Sequence, residues 1–223
     1  MDFAASAIHR MAQENLDWTN LNSIWLSHFH LDHIGGLAPF LFGTRNAPEM
    51  QSRTAPLQIF GAKGLKKLIE SFDEANNYKL FKQPFPLEIC EVEAGSEFEI
   101  LPETRAVTLK TPHTDESLAL HIRDKNDKTL VYSSDTGFTK TLGAFARNAD
   151  LFVLESSFVK DKAVEKHLEL EEAMFLIRYA DPKRAMLTHF YAEWDAVDFR
   201  REVEKFKPSC DVIEAQDGLK VEI

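Results

Sequence analysis

Cysteine is scarce in this 223-residue chain, long apolar runs are missing, and positive charge is in deficit. Each shortage excludes something. The two cysteines, Cys90 and Cys210, stand far apart and form no Cys-x-x-Cys pair, so neither a disulfide framework nor a thiolate zinc knuckle can be built. Two buried, reduced thiols are expected instead. No apolar run approaches the roughly 20 residues of a membrane span. Met1 to Ser6 lacks the basic and apolar regions of a secretory signal, so a cytoplasmic location is expected. The formal charge of −10 disfavours a polyanionic partner, since nucleic-acid binding would need a local basic patch. The one tight basic run, Lys63, Lys66 and Lys67, is followed by Glu70, Asp73 and Glu74, which is the mixture of a solvated helix face. No linker, tandem repeat or low-complexity stretch divides the chain, so a single domain over 1–223 is expected.

What is present alternates in type. Ala4, Ala7, Ile8 and Met11 recur at helical spacing, as do Leu65, Leu68, Ile69 and Phe72, and later Leu170, Ala173, Met174 and Ile177. Further helices are expected between Phe138 and Asn148 and from about Ala196 to Phe206. Strand-length apolar runs lie at Ser23 to Ser27, at Leu57 to Phe60 (ended by Gly61), at Leu151 to Leu154 and at Ala185 to Thr188. Leu87 to Val92, Phe98 to Leu101, Ala106 to Thr111 and Ser117 to Arg123 read as a meandering antiparallel sheet, followed by a turn at Lys125–Lys128 and a strand from Thr129 to Ser133. Asp211–Ile213 and Leu219–Val221 close the chain. A β-rich middle flanked by strand–helix units predicts a layered α/β fold.

The eight histidines carry most of the functional information. Several apolar strands run into a residue able to bind metal or move a proton: Ser27-His28, Ser134-Asp135, Leu154-Glu155 and Thr188-His189. Open α/β sheets place ligand sites at such strand ends. His113 follows another strand, in Thr111-Pro112-His113-Thr114. The segment His28-Phe29-His30-Leu31-Asp32-His33 packs four potential ligands into six residues. A helix or strand would spread them over different faces, so a tight loop is expected, with His28 and His30 toward one metal and Asp32 and His33 toward a second. Two metals roughly 3.5–4 Å apart need a shared anionic ligand, a role that suits Asp135. Imidazole and carboxylate donors favour Zn²⁺, with Mn²⁺ and Fe²⁺ as harder alternatives. His167 precedes a charged helix start, and Glu155 is a strand-end carboxylate that either orients a partner or serves structure. His9 and His121, inside a helix and a strand, read as ordinary residues.

These residues resemble the metallo-β-lactamase superfamily. His28, His30, Asp32 and His33 match its signature, His113 its third motif, Asp135 its bridging aspartate and His189 its last histidine. The resemblance implies an αββα sandwich binding two divalent metals. Asp32-His33-Ile34-Gly35-Gly36-Leu37, Tyr132-Ser133-Ser134-Asp135-Thr136 and Leu187-Thr188-His189-Phe190 point to the branch that contains ribonuclease Z and related phosphodiesterases. In that branch the counterparts of Glu155 and His167 assist proton transfer to the leaving group.

The chain departs from the branch in three ways. A six-residue turn leads from Ile122 toward the Asp135 strand, where bacterial ribonuclease Z carries its tRNA-gripping arm. Leu168 and Glu169 stand where hydroxyl residues would follow the histidine. The chain also starts at the first helix, before which the branch usually has two strands and a Gly-rich turn. Either the sequence is a shortened one or the sandwich lacks N-terminal edge strands. In the second case the first sheet would expose an edge that invites a homodimer. The resulting expectation is a metal-dependent hydrolase acting on phosphodiesters. Its partner would be a small-molecule or nucleotide-type ester, with no tight nucleic-acid binding and no membrane. Asp32 would orient the nucleophile, and His167, aligned by Glu155, would protonate the leaving group. The alternatives are tRNA 3′-processing, lactone or sulfate-ester hydrolysis, and a catalytically silent metal-binding protein.

Overall fold

The computed structural model describes residues 1–223, which form two compact units, Met1–Glu93 and Ala94–Ile223. In the first unit, three strands, β1 (Ser23–Trp25), β2 (Leu57–Ala62) and β3 (Leu87–Val92), form a parallel sheet in that order. Parallel neighbours need crossover connections, and the helices α2 (Leu31–Ile34), α3 (Leu37–Thr44) and α4 (Leu65–Glu74) lie in those crossovers. β2 is buried at Leu57, Ile59, Phe60, Gly61 and Ala62, the near-continuous burial of a central parallel strand. Gly61 therefore lies inside the strand and does not end it. A Cβ there would stand 3.0 Å from the Leu65 side chain and 3.2 Å from the Leu26 carbonyl, so α4 and β1 can close on it only because it is glycine. α1 (Ala7–Gln13) buries no residue fully, but its Ala7 and Met11 pack against a core of Ile24, Leu26, Leu41, Ile59, Leu65 and Ile69. Fully burying a side chain of this size is worth about 1.5–3 kcal/mol.

β1 is an outer strand, and the Trp25 carbonyl on its free side accepts from the Asp2 amide at 2.7 Å. The metal-signature segment is also not wholly a loop. Leu31–Ile34 makes a helical turn, with His33 and Ile34 amides returning to the His30 carbonyl. This single turn buries His33 and Ile34 while leaving Asp32 exposed.

The second unit holds a seven-stranded sheet in the order β10-β9-β8-β7-β6-β5-β4. β4 (Glu97–Leu101), β5 (Thr104–Lys110), β6 (Leu118–Arg123) and β7 (Thr129–Tyr132) form the expected antiparallel meander. The Leu87–Val92 strand does not belong to it: it pairs in parallel with β2, in the other sheet. Its alternating apolar residues suit either pairing, and only the partner distinguishes them. From β7 onward the pairing is parallel, through β8 (Leu151–Glu155), β9 (Arg184–Thr188) and β10 (Asp211–Glu214). The links are α5 (Lys140–Phe145), α6 (Leu170–Ala180) and α7 (Phe199–Glu204). The helix expected from Ala196 to Phe206 splits into a 3₁₀ turn, Ala192–Ala196, and α7, which Asp198 caps by accepting from the Arg201 amide. No strand forms at Leu219–Val221. α6 starts in a capping box between Glu169 and Glu172 and ends where Asp181 turns left-handed, with Pro182 next. Its apolar face joins Val131, Phe152, Leu154 and Leu187 in the core.

Candidate metal centre

Because β7, β8 and β9 run parallel and adjacent, their C-terminal ends share one edge of the sheet. Glu155 is the last residue of β8, and Asp135 and His189 lie just past the ends of β7 and β9. β5 runs in the same sense as β7, two antiparallel steps away, and delivers His113 to that edge. The Asp135 carboxylate lies 3.2 Å from His189 Nε2 and 3.8 Å from His113 Nε2, so a single carboxylate faces two imidazoles. Ser134 and His189 both adopt left-handed backbone, at φ 60° and 62°, a conformation that non-glycine residues rarely hold outside constrained sites. In the first unit, the His28 ring lies 4.6 Å from that of His30 and 4.1 Å from that of His33, and Asp32 Oδ2 is 3.5 Å from His33 Nε2.

The second ring nitrogen of four of these histidines is held, and the holding partners determine the tautomer. The His113 Nδ1 faces the Lys166 carbonyl at 2.9 Å, and a carbonyl can only accept, so Nδ1 carries the proton. The His33 Nδ1 donates to the Asp2 carboxylate at 2.7 Å. The Ser27 hydroxyl spends its one proton on Asp2, so it must accept from His28 Nδ1, at 3.1 Å. Ser157 gives its proton to Glu155 Oε2 and must accept from His189 Nδ1, at 2.9 Å. As neutral imidazoles, all four rings therefore offer Nε2 as the donor atom, the arrangement of metal-binding histidines. This donor chemistry fits a divalent metal on its own terms.

Glu155 is 1% exposed. Its carboxylate accepts from the Thr136 amide, the Ser157 amide and hydroxyl, the Leu168 amide and His167 Nδ1, the last at 3.0 Å. A buried charge persists only with such satisfaction. His167 is thereby oriented with Nε2 outward, 3.4 Å from the Tyr191 hydroxyl. Its ring stacks near that of His189, 5.2 Å between centroids. The donor atoms of Glu155, His167 and His189 form a cluster within 4.8 Å.

His9 is exposed in α1, while His121 lies in β6, where burial and then Arg123 push its imidazole below the ordinary range. Neither joins the cluster. Cys90 and Cys210 are free and half-buried, and burial raises both thiols. Sequence reasoning missed Asp2, Ser27, Ser157 and Tyr191. Ser27, which stands in the Ser27-His28 strand end, and Ser157, two residues after a strand-end glutamate, carried the available signal.

The profile of the β-lactamase superfamily domain matches residues 2–190. The chain belongs to the metallo-β-lactamase superfamily. Its fold class is that family's αββα sandwich, a mixed β core flanked by helices, and it resembles the ribonuclease Z and phosphodiesterase branch. It is 25% identical over 245 residues to Ribonuclease Z of Bacillus velezensis, covering 86% of this chain and 77% of that one. Among solved structures, the metallo-β-lactamase fold protein YhfI from Bacillus subtilis superposes with a TM-score of 0.79 at 23% identity, over 98% of this chain and 84% of that one. The short form of human tRNase Z gives 0.74 at 18% identity, over 100% and 86%. The clustered histidines and aspartates are candidate metal sites of the kind found in catalytic members of this fold, consistent with a dinuclear divalent-metal cofactor and metal-dependent hydrolysis. No helix is long and apolar enough to cross a membrane.

Proposed function

We propose that this metallo-β-lactamase superfamily member is a phosphodiesterase working with two divalent metals, most readily Zn²⁺, in one domain spanning 1–223. His28, His30, His113 and Asp135 would hold one metal. Asp32, His33 and His189 would hold the other, with Asp135 shared. The observation that carries this reading is the set of four histidines forced into the Nδ1–H tautomer, each offering Nε2. Bound as a pair, such ions supply an activated water and offset charge on the attacked phosphoryl oxygen.

The chain's own residues do the rest. Asp32, 65% exposed at its side chain, accepts a proton of the attacking water and aims it. Glu155 holds the His167 Nδ1–H, so a second proton on that ring can reside only on Nε2, and from there it passes to the departing alkoxide. Free thiols suit a reducing cytoplasm. A homodimer through the β1 edge is the assembly that suits an outer strand.

The test is elemental analysis of protein purified without chelator. About two transition-metal ions per chain are expected, and Asp135→Ala should lose tight binding of both. Undiminished metal in Asp135→Ala would overturn the ligand assignment. The ribonuclease Z names of the curated relatives favour a second reading, tRNA 3′-processing. Against it, β6 passes to β7 through the tight Asp124–Lys128 turn, closed by the Asp124 amide on the Lys128 carbonyl.

A further inference from the structure

Beside His113, the second unit carries an open surface cleft of about 610 Å³. Three loop segments wall it: Lys110–Asp115 after β5, Gly137–Phe138, and Lys162–Lys166 before α6. They are tied together. The Gly137 amide donates to the Pro112 carbonyl at 3.0 Å, the His113 Nδ1–H to Lys166 at 2.9 Å, and the Thr111 hydroxyl to the Asp135 carbonyl at 3.1 Å. At position 137 a Cβ would stand 2.6 Å from the Glu165 carbonyl, so the loops meet only around glycine. The cleft is therefore built into the fold, and a ligand histidine forms part of its wall.

Its lining chemistry is specific. Lys162 is engaged by Glu172 at 2.7 and 2.9 Å and by Glu165 at 3.3 Å. Over the whole lining the charges balance, Lys110, Lys162 and Lys166 against Asp115, Glu165 and Glu172. With Lys162 held by its two glutamates, the cations left to meet an anion are Lys110, which also donates to the Thr114 carbonyl, and Lys166. Phe138 also lines the cleft and is 39% exposed. Its ring meets that of Phe175 at 5.5 Å, which stacks in turn on Tyr179 at 6.3 Å. Lys140 lies 5.5 Å over Phe175, and Arg147 lies 6.0 Å over Tyr179. Phe175, Tyr179, Lys140 and Arg147 lie outside the cleft and brace Phe138 from behind, so Phe138 is the one aromatic in the lining on which a base could stack.

We propose that this cleft is a nucleotide subsite, in which Phe138 stacks a base while Lys110 and Lys166 hold the attached phosphate. This rests on the hydrolase reading and narrows its substrate to a nucleotide-type ester. Calorimetry with 5′-AMP, ribose 5-phosphate and adenosine tests it without turnover. AMP should bind more tightly than ribose 5-phosphate. Phe138→Ala should weaken AMP about ten-fold, within the range of base stacking, and leave ribose 5-phosphate unchanged, while Phe138→Trp should retain the preference. Lys110→Met with Lys166→Met should weaken AMP and ribose 5-phosphate together. In kinetics, Phe138→Ala should raise KM for thymidine 5′-(p-nitrophenyl phosphate) at constant kcat and leave methyl p-nitrophenyl phosphate alone. No AMP binding, or equal losses for AMP and ribose 5-phosphate in Phe138→Ala, would overturn the subsite. AMP binding as described with no ester hydrolysed would leave the subsite standing and remove the hydrolase reading.

Discussion

Hydroxyls decide proton positions at this site. Ser27 and Ser157 each own one proton, and each gives it to a carboxylate, Asp2 or Glu155. What remains on each oxygen is acceptor capacity, which sets the tautomer of His28 and His189. His167 differs, since its Nδ1–H goes to Glu155 and its Nε2 faces Tyr191. If it is the general acid, His167→Ala should keep its metals and lose turnover by about 10²–10⁴-fold on substrates with basic leaving groups. The loss should shrink for nitrophenolate, which departs without a proton. His28→Ala should instead lose metal and all activity together. Rates across a leaving-group series, measured with metal content, decide this. Equal losses for good and poor leaving groups would sink the role.

Parallel strands set the elements in order. β7, β8 and β9 place three site residues at one edge, and side-chain ties hold them in register. Asp150, just before β8, accepts from the Thr129 amide and hydroxyl, both at 2.9 Å, and from Lys183 at 2.7 Å. The Lys183 bond, then the Thr129 amide, hold its carboxyl well below the usual carboxylate range. A depressed folded pKa means that this stability is fully present above the unfolded carboxylate pKa, near 4, and is lost as pH falls through the folded value. Asp150→Asn should therefore destabilise the protein at pH 7 by about 2 kcal/mol, the worth of hydrogen bonds to a charged group. The deficit should narrow steadily below pH 4. Denaturant melts across pH check it, and a pH-independent difference would show that the charge is irrelevant.

Charge acts on the whole molecule. With 36 acidic against 26 basic residues, long-range attraction for a polyanion is lacking, and the Asp124–Lys128 turn offers no arm to supply it locally. Precursor tRNA should not bind tightly near physiological salt, while a mononucleotide needs only the cations of one cleft. A gel-shift titration finding sub-micromolar tRNA affinity would promote 3′-processing over the phosphodiesterase reading.

The candidate metal-ligand cluster was readable in the chain because ligand capacity is a property of residue type and spacing. His28, His30, Asp32 and His33 in six residues, with His113, Asp135 and His189 each past a strand, announce it without coordinates. The strands themselves were legible by their apolar runs, and α6 by its 3.6-residue period. Tertiary structure decided what depends on partners distant in sequence. Leu87–Val92 pairs with β2 along its whole length, and its Leu87 and Ile89 pack against the first unit's core, while its pattern permitted either sheet. Leu31–Ile34 coils because a helical turn buries His33 and Ile34 together. Asp2 reaches His33 across 31 positions, and Ser157 reaches His189 across 32. Local pattern cannot encode such contacts, since each gains its energy only after the chain between its partners has folded.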